Sequence, residues 1–225
     1  MMLLLASHNP HKRAAIARTL AARGVATIGA DALGLPEPEE TGTRFIDNAA
    51  IKARAAASAS GLVALADDSG FVVPVLDGGP GVVTADWSET PHGRDWGMAM
   101  DRIHREVLAR GASFPTFSAF VATLVLARPD GTIHAFTREQ AGQAVWPPRP
   151  GQGFALDPIF VPFGSGLALS EMDPQEAAIF DHRARAAAAV ADWLAGEEGR
   201  AFADLTRPFV PAQPQPAAVE EMAAA

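Results

Sequence analysis

Short apolar runs alternate along this chain with stretches of helical periodicity. Leu3 to Ala6 and Val25 to Ile28 have the length of buried strands. Between them, Asn9 suits a helix N-cap and Pro10 the first helical position. Ile16 and Leu20 lie one turn apart, so a helix is expected to about Arg23, with Gly24 as its stop. Thr43 is expected to cap a second helix, Arg44 to Ser60, ended by Gly61. Its alanines, Ala49, Ala53 and Ala56, fall at helical spacing and permit close approach to a sheet. Leu62 to Ala66 reads as a third strand ending in Asp67-Asp68-Ser69-Gly70, and Phe71 to Leu76 as strand again. Trp96, Met100, Ile103 and Val107 mark an amphipathic helix stopped by Gly111. Phe117 to Ala127, the turn Arg128-Pro129-Asp130-Gly131 and Thr132 to Thr137 form a hairpin in an antiparallel layer. Asp173-Pro174 with Glu176 is a capping box, and an Ala-rich helix follows Asp181-His182-Arg183 through Leu194. From Thr206 onward the chain is rich in Pro and Ala and is expected to be disordered.

Composition narrows the function. The 225 residues are 48% hydrophobic, enough for a core, and contain no Cys, which excludes disulfides, thiolate zinc sites and a cysteine nucleophile. Neither a signal-type start nor a run of about 20 apolar residues is present, so a cytoplasmic, membrane-free protein is expected. The formal net charge of −8 argues against a nucleic-acid partner. A polyphosphate remains possible where a divalent ion and a few cations neutralise it.

The candidate chemistry centres on Asp67 and Asp68. Adjacent strand residues face opposite sides, so the two acids have different tasks. Ligands in open α/β sheets sit at the carboxyl ends of strands, where two acids call for a metal ion or a cationic partner. Ser7-His8-Asn9-Pro10-His11-Lys12 joins a strand to a helix N-terminus, whose free N–H groups and dipole favour an anion. Asn48 and Lys52 share a helix face. Glu39 and Glu40 matter only if their loop faces Asp68. Taken singly, each has a plainer reading: a capped helix, a solvated lysine, an acidic turn.

Taken together and in order, these segments resemble the inosine triphosphate pyrophosphatase family. Ser7 to Lys12 is similar to its T-G-N-x-x-K loop, and Glu39-Glu40-Thr41-Gly42 to E-x-x-G. Phe45-Ile46-Asp47-Asn48-Ala49 with Lys52-Ala53 resembles F-x-E-N-A-x-x-K-A, and Ala66 to Gly70 with Gly79-Pro80-Gly81 resembles A-D-D-S-G…G-A-P-G. Gly153-Phe154, Asp157-Pro158-Ile159-Phe160, Glu171-Met172 and His182-Arg183 resemble G-F-G-Y-D-P-I-F…E-M…S-H-R.

The resemblance implies a two-lobed α/β fold, a mixed sheet with a central cleft, in one domain over residues 1–205, and a homodimer. It implies hydrolysis of dITP-, ITP- and XTP-type purine nucleoside triphosphates to monophosphate and pyrophosphate, with Mg²⁺. Asp68 would hold the metal and activate water. Glu39 would be the other metal carboxylate, with Glu40 or Asp67 as alternatives in a different register. Ser7, His8, Asn9, Pro10, His11, Lys12, Lys52 and Ser69 would bind the phosphate side. Phe154, Ala155, Leu156, Asp157, Ala177, His182 and Arg183 would line the base pocket. The chain departs from the family where His8 replaces a glycine, Ala155 and Leu156 a glycine and an aromatic, Ala177 a base-reading lysine, and Asp181 a serine. Base preference is therefore open to change, and a nucleotide-binding relative with little catalysis is an alternative. Asp68-Ser69-Gly70 also matches the aspartic-protease D-S/T-G signature, but that dyad needs a second aspartate, and no second copy occurs.

Overall fold

The structure, a computed structural model, describes residues 1–7, 9–206 and 208. Its centre is a seven-stranded mixed sheet. β1 (Met2–Leu5) is parallel to β2 (Ala26–Gly29) and to β3 (Ala64–Val72), with α1 (Pro10–Ala21) and α2 (Phe45–Ser60) as the crossovers. β3 is antiparallel to β4 (Pro80–Gly81) and to the long strand β7 (Thr116–Ala127), which continues to β8 (Ile133–Ala144) and β9 (Phe160–Pro162). A small ribbon, β5 (Glu89–Thr90) and β6 (Gly93–Arg94), precedes α3 (Trp96–Ala109). α4 (Pro174–Ile179), α5 (His182–Ala195) and α6 (Glu197–Ala203) complete the described chain. None of its helices is long and apolar enough to cross a membrane.

Strand alternation divides the core. Leu3, Leu5, Leu65, Leu124 and Leu126 face one side, where Ile16 and Leu20 of α1 and Ala187, Val190 and Leu194 of α5 cover them. Leu4, Ala64, Ala66 and Val125 face the other, against Ala49, Ala50, Ala53, Ala56 and Ala57 of α2. The alanine face brings α2 close to the sheet, while each buried leucine opposite contributes about 1.5–3 kcal/mol. A further cluster, with Phe71, Phe120 and Phe160 at its centre and Ile103 and Val107 of α3 against it, forms the second lobe. β3 and β7 run through both lobes.

Most expected elements are present, with three corrections. β3 does not stop at Asp67. It runs on through Asp68, Ser69 and Gly70 to Val72, because β7 pairs with every residue from Ala64 to Val72. The strand expected to Leu76 instead ends there, and Pro74–Leu76 is a 3-10 turn. Thr43 does not cap α2: the N-cap is Arg44, whose guanidinium reaches forward to Asp47. The expected caps Asn9, Asp173 and Asp181 all accept first-turn N–H groups. Of the Pro/Ala-rich tail, residues 207 and 209–225 lie outside the described residues.

Candidate active site

β1 ends at Leu5, and its pairing with β3 reaches only Leu65, while β4 joins β3 at Phe71 and Val72. One edge of β3 between these partners, from Ala66 to Gly70, therefore has no neighbouring strand among the described residues. The chain leaving β1 passes Ser7 and Asn9 into α1 beside this gap. The expected placement at a strand's carboxyl end thus holds for β1 and not for β3. At this open edge, side chains of both sheet faces stand side by side.

On the α1–α5 face stands Asp67, 1% exposed. Its Oδ2 lies 3.1 Å from Lys12 Nζ and 3.9 Å from Arg183 Nε, and accepts from Ser69 Oγ at 3.1 Å. Arg183 donates to the same Ser69 hydroxyl from Nε and Nη2. Burial pushes the Asp67 carboxyl up, but Lys12 and Arg183, with Lys52 further off, outweigh it, and its pKa lies below the usual range. Asp67 is the anionic clamp that positions two cations.

On the α2 face stands Asp68, 4% exposed, with Oδ2 buried and lacking a hydrogen-bond partner. Burial raises its pKa to about 6; Lys52 and Lys12 oppose the rise, and Glu40 and Asp67 add to it. Lys52 is buried and bonds Glu40 Oε1 at 2.8 Å. Asn48, one turn earlier on α2, accepts Gly42 N–H at 2.7 Å. Asn48 and Lys52 thus tie down the 39–42 loop from one helix face. Gly42 is needed there, since a Cβ would stand 2.6 Å from Asn48 Oδ1. Of the two loop carboxylates, Glu40 faces Lys52 and Asp68, whereas exposed Glu39 makes no hydrogen bond or ion pair with a described residue. The alternative register therefore has the geometric support.

The phosphate loop differs from its expectation in one respect. Asn9 Oδ1 accepts His11 N–H and Lys12 N–H, and Pro10 has none, so these N–H groups are not free for an anion. The dipole and the Lys12 side chain remain. Ser7 is buried beside the loop, and His8 lies outside the described residues.

A cavity of about 560 Å³ is lined by Asn9, His11, Lys12, Ser69, Phe154, Ala155, Leu156, Asp157, Ala177, His182 and Arg183 among others, while Asp67, Asp68, Lys52 and Glu40 are not part of its lining. Phe154 is 57% exposed, 5.5 Å from the His11 ring and 6.1 Å from Trp96. Asp157 accepts Phe154 N–H at 2.8 Å and so shapes the turn. Burial is the main cause of its raised pKa. Ala155 has φ 57°, a left-handed conformation that disfavours a Cβ and suits the glycine of the family pattern. Leu156 packs into the second-lobe core and shows the cavity only part of its surface. His182 stacks on Phe120 at 5.3 Å with Nε2 buried and unpartnered. Burial first, then Arg183, lowers its pKa to about 3, so it is neutral.

Sequence reasoning missed several cavity residues. Trp96, taken as part of a buried helix face, begins α3 and turns towards Phe154. Arg18, Thr19, Thr84 and Arg94 carried no motif that could have singled them out.

Residues 3–193, the body of this two-faced site and its cavity, match the Ham1 family. The chain belongs to that family. A relative from Ruegeria pomeroyi, named dITP/XTP pyrophosphatase, is 50% identical over 184 residues, covering 82% of this chain and 90% of its own length. One of the same name from Agrobacterium fabrum is 48% identical over 195 residues, covering 82% and 91%. A solved HAM1 protein from Coxiella burnetii superposes with a TM-score of 0.79 at 28% identity, over 87% of this chain and 98% of that one. A Mycobacterium abscessus structure described as nucleoside-triphosphatase / dITP/XTP pyrophosphatase gives 0.68 at 35% identity, over 84% and 98%. These confirm the α/β fold with its mixed sheet. Ham1 membership also removes the protease reading of Asp68-Ser69-Gly70.

Proposed function

We propose that this chain hydrolyses dITP-, ITP- and XTP-type purine nucleoside triphosphates to the monophosphate and pyrophosphate, with Mg²⁺ as cofactor. The names of its relatives support the substrate class. The observation that carries the chemistry is the open edge of β3, with Asp68 and Lys52 on one face and Asp67, Lys12 and Arg183 on the other.

The residues fit a hard divalent cation. Asp68 Oδ2 is a buried oxygen in need of a partner. The described residues hold no cluster of three or more His, Cys, Asp or Glu. The protein therefore offers one or two carboxylates, Asp68 and Glu40, leaving the other positions to water and phosphate, the coordination Mg²⁺ favours. Bound there, the cation would neutralise phosphate oxygens and make water easier to deprotonate.

The side chains do the rest. Phosphoryl transfer requires positioning and charge neutralisation more than covalent help. Lys12 and Lys52 approach from the two faces and counter the triphosphate's charge. Asp68 accepts the proton of the attacking water. Phe154 stacks on the purine. Asp67 takes no proton, because its carboxylate is held by Lys12 and Arg183. A homodimer belongs to the same reading; light scattering of the purified protein checks it.

The deciding experiment assays pyrophosphate and monophosphate release from ITP, dITP, XTP, GTP and ATP, with Mg²⁺ and with EDTA. Metal-dependent pyrophosphate release from the 6-oxopurine substrates is expected. Release of inorganic phosphate, or no product from any substrate, would refute the reading.

A further inference from the structure

Helix α1 does more than end in the phosphate loop. His11, Lys12, Ala15, Arg18 and Thr19 all line the cavity, so one face of the helix runs along it. From Lys12 to Arg18 the helix advances about 9 Å, comparable to the span from a nucleotide's phosphates to its base. The axis is fixed by α5, which lies beside it: Lys12 and Arg183 meet at Asp67, and Arg23 pairs with Asp192 at 3.5 Å. Side chains on a helix lean towards its N-terminus, which directs Arg18 over Ala15 and into the cavity rather than away from it.

The lining also includes Pro174, Ala177 and Ala178 of α4, none of which has a side-chain donor. Of the other polar groups there, neutral His182 keeps an unpartnered Nε2, and several more are committed. Lys12 and Arg183 are held by Asp67 and Ser69. Asp181 accepts Arg183 N–H and Ala184 N–H as the α5 cap. The Arg18 guanidinium makes no hydrogen bond or ion pair with any described residue. The Arg94 guanidinium shares that property, but it belongs to the β5–β6 ribbon rather than to α1.

We infer that Arg18 is the specificity-determining residue for the base, its guanidinium donating to the O6/N7 edge of a 6-oxopurine in the cavity that Ala177 also lines. This rests on the nucleotide reading above and adds its recognition element. A planar guanidinium offers paired N–H donors, the match for adjacent O6 and N7 acceptors. Hypoxanthine, xanthine and guanine share that edge. Adenine replaces O6 with an N–H donor group, which leaves one guanidinium N–H facing another donor. The preference is then for 6-oxo over 6-amino purines as a class, with the 2-position unread.

The test compares kcat/KM for ITP, GTP and ATP in the wild type, Arg18→Met and Arg18→Lys, in the full chain. Methionine keeps the length and apolar stem but removes the donors. Because Arg18 is exposed, both variants should melt as the wild type does. Arg18→Met should lower kcat/KM for ITP and GTP by about 10- to 100-fold, as for loss of a charged hydrogen bond, and leave ATP within a few-fold. Lysine, a single-point donor, should recover part of the loss. IMP and AMP affinities by calorimetry without metal should show the same divergence. Parallel changes for ITP and ATP, or no change for either, would overturn the assignment of Arg18 and leave the reaction class standing. A wild type that releases no pyrophosphate from any of the three would overturn both.

Discussion

Asp67 and Asp68 are adjacent on β3 and act on opposite faces of one sheet. Each leaves one buried oxygen unpartnered, but Asp67 Oδ2 holds Lys12 at 3.1 Å and Arg183 at 3.9 Å, while Asp68 stands beside Lys52 and Glu40. The two carboxylates therefore answer differently to the same substitution. Asp68→Asn should reduce turnover by about 10²–10⁴-fold, the usual cost of losing a general base, with the fold intact. Asp67→Asn should weaken the hold on both cations, raise KM more than it lowers kcat, and cost about 1–3 kcal/mol of stability. Steady-state kinetics and urea unfolding of both variants decide the matter; equal kinetic profiles would contradict the division of roles.

The 39–42 loop gives a second comparison. Glu40 bonds Lys52 and lies near Asp68; Glu39 does neither. Glu40→Gln should raise the metal concentration needed for half-maximal activity by about tenfold or more, in the range reported for disturbed metal sites. Glu39→Gln should leave it near the wild-type value. The opposite ranking in a Mg²⁺ titration would restore Glu39 as the metal carboxylate.

Gly70 is fixed by close approach. A Cβ there would overlap the Gly81 carbonyl oxygen and stand 2.6 Å from Thr84 Oγ1, which itself accepts Phe71 N–H. Gly70→Ala should force β4 away from β3 and cost about 1–3 kcal/mol, a fall in melting temperature of about 3–10 °C. An unchanged melting curve would show that this contact relaxes freely.

His182 gives the chain an acid-sensitive component. Its folded pKa of about 3 lies below the ordinary 6.5, lowered by burial, Arg183, Arg185 and Lys12 against the opposing pull of Asp67. Protonation therefore favours the unfolded chain. The His182 contribution is complete above pH 6.5 and falls by about 1.4 kcal/mol per unit as pH drops towards the folded value. His182→Phe, which can still pack on Phe120, should show a shallower loss of melting temperature between pH 6.5 and 4 than the wild type. Identical slopes would mean that other groups carry the acid sensitivity.

Much of this was legible in the sequence because local chemistry dictated it. Asn9, Asp173 and Asp181 cap helices through their own neighbours, and the Arg128 to Gly131 turn closes on bonds among residues 128–132. What escaped depends on distant partners. Asp67 to Gly70 have poor strand propensity, and only pairing with β7 carries β3 through them. Glu39 and Glu40 are equivalent in a loop until Lys52 and Asn48 choose between them. Arg18 looks like an ordinary cation near a helix C-terminus until the cavity beside it is seen.

The separation of parts around β3 bears on how such a protein can diversify. On the proposed reading, Asp68 and the lysines that would meet the triphosphate stand on strand and helix, with Glu40 on a tethered loop. The base side is made from the 154–157 turn, the short α4 and the middle of α1, whose exposed positions tolerate exchange. If the proposed roles hold, a lineage can change which purine it accepts by substitution on the base side while inheriting the phosphate side unaltered.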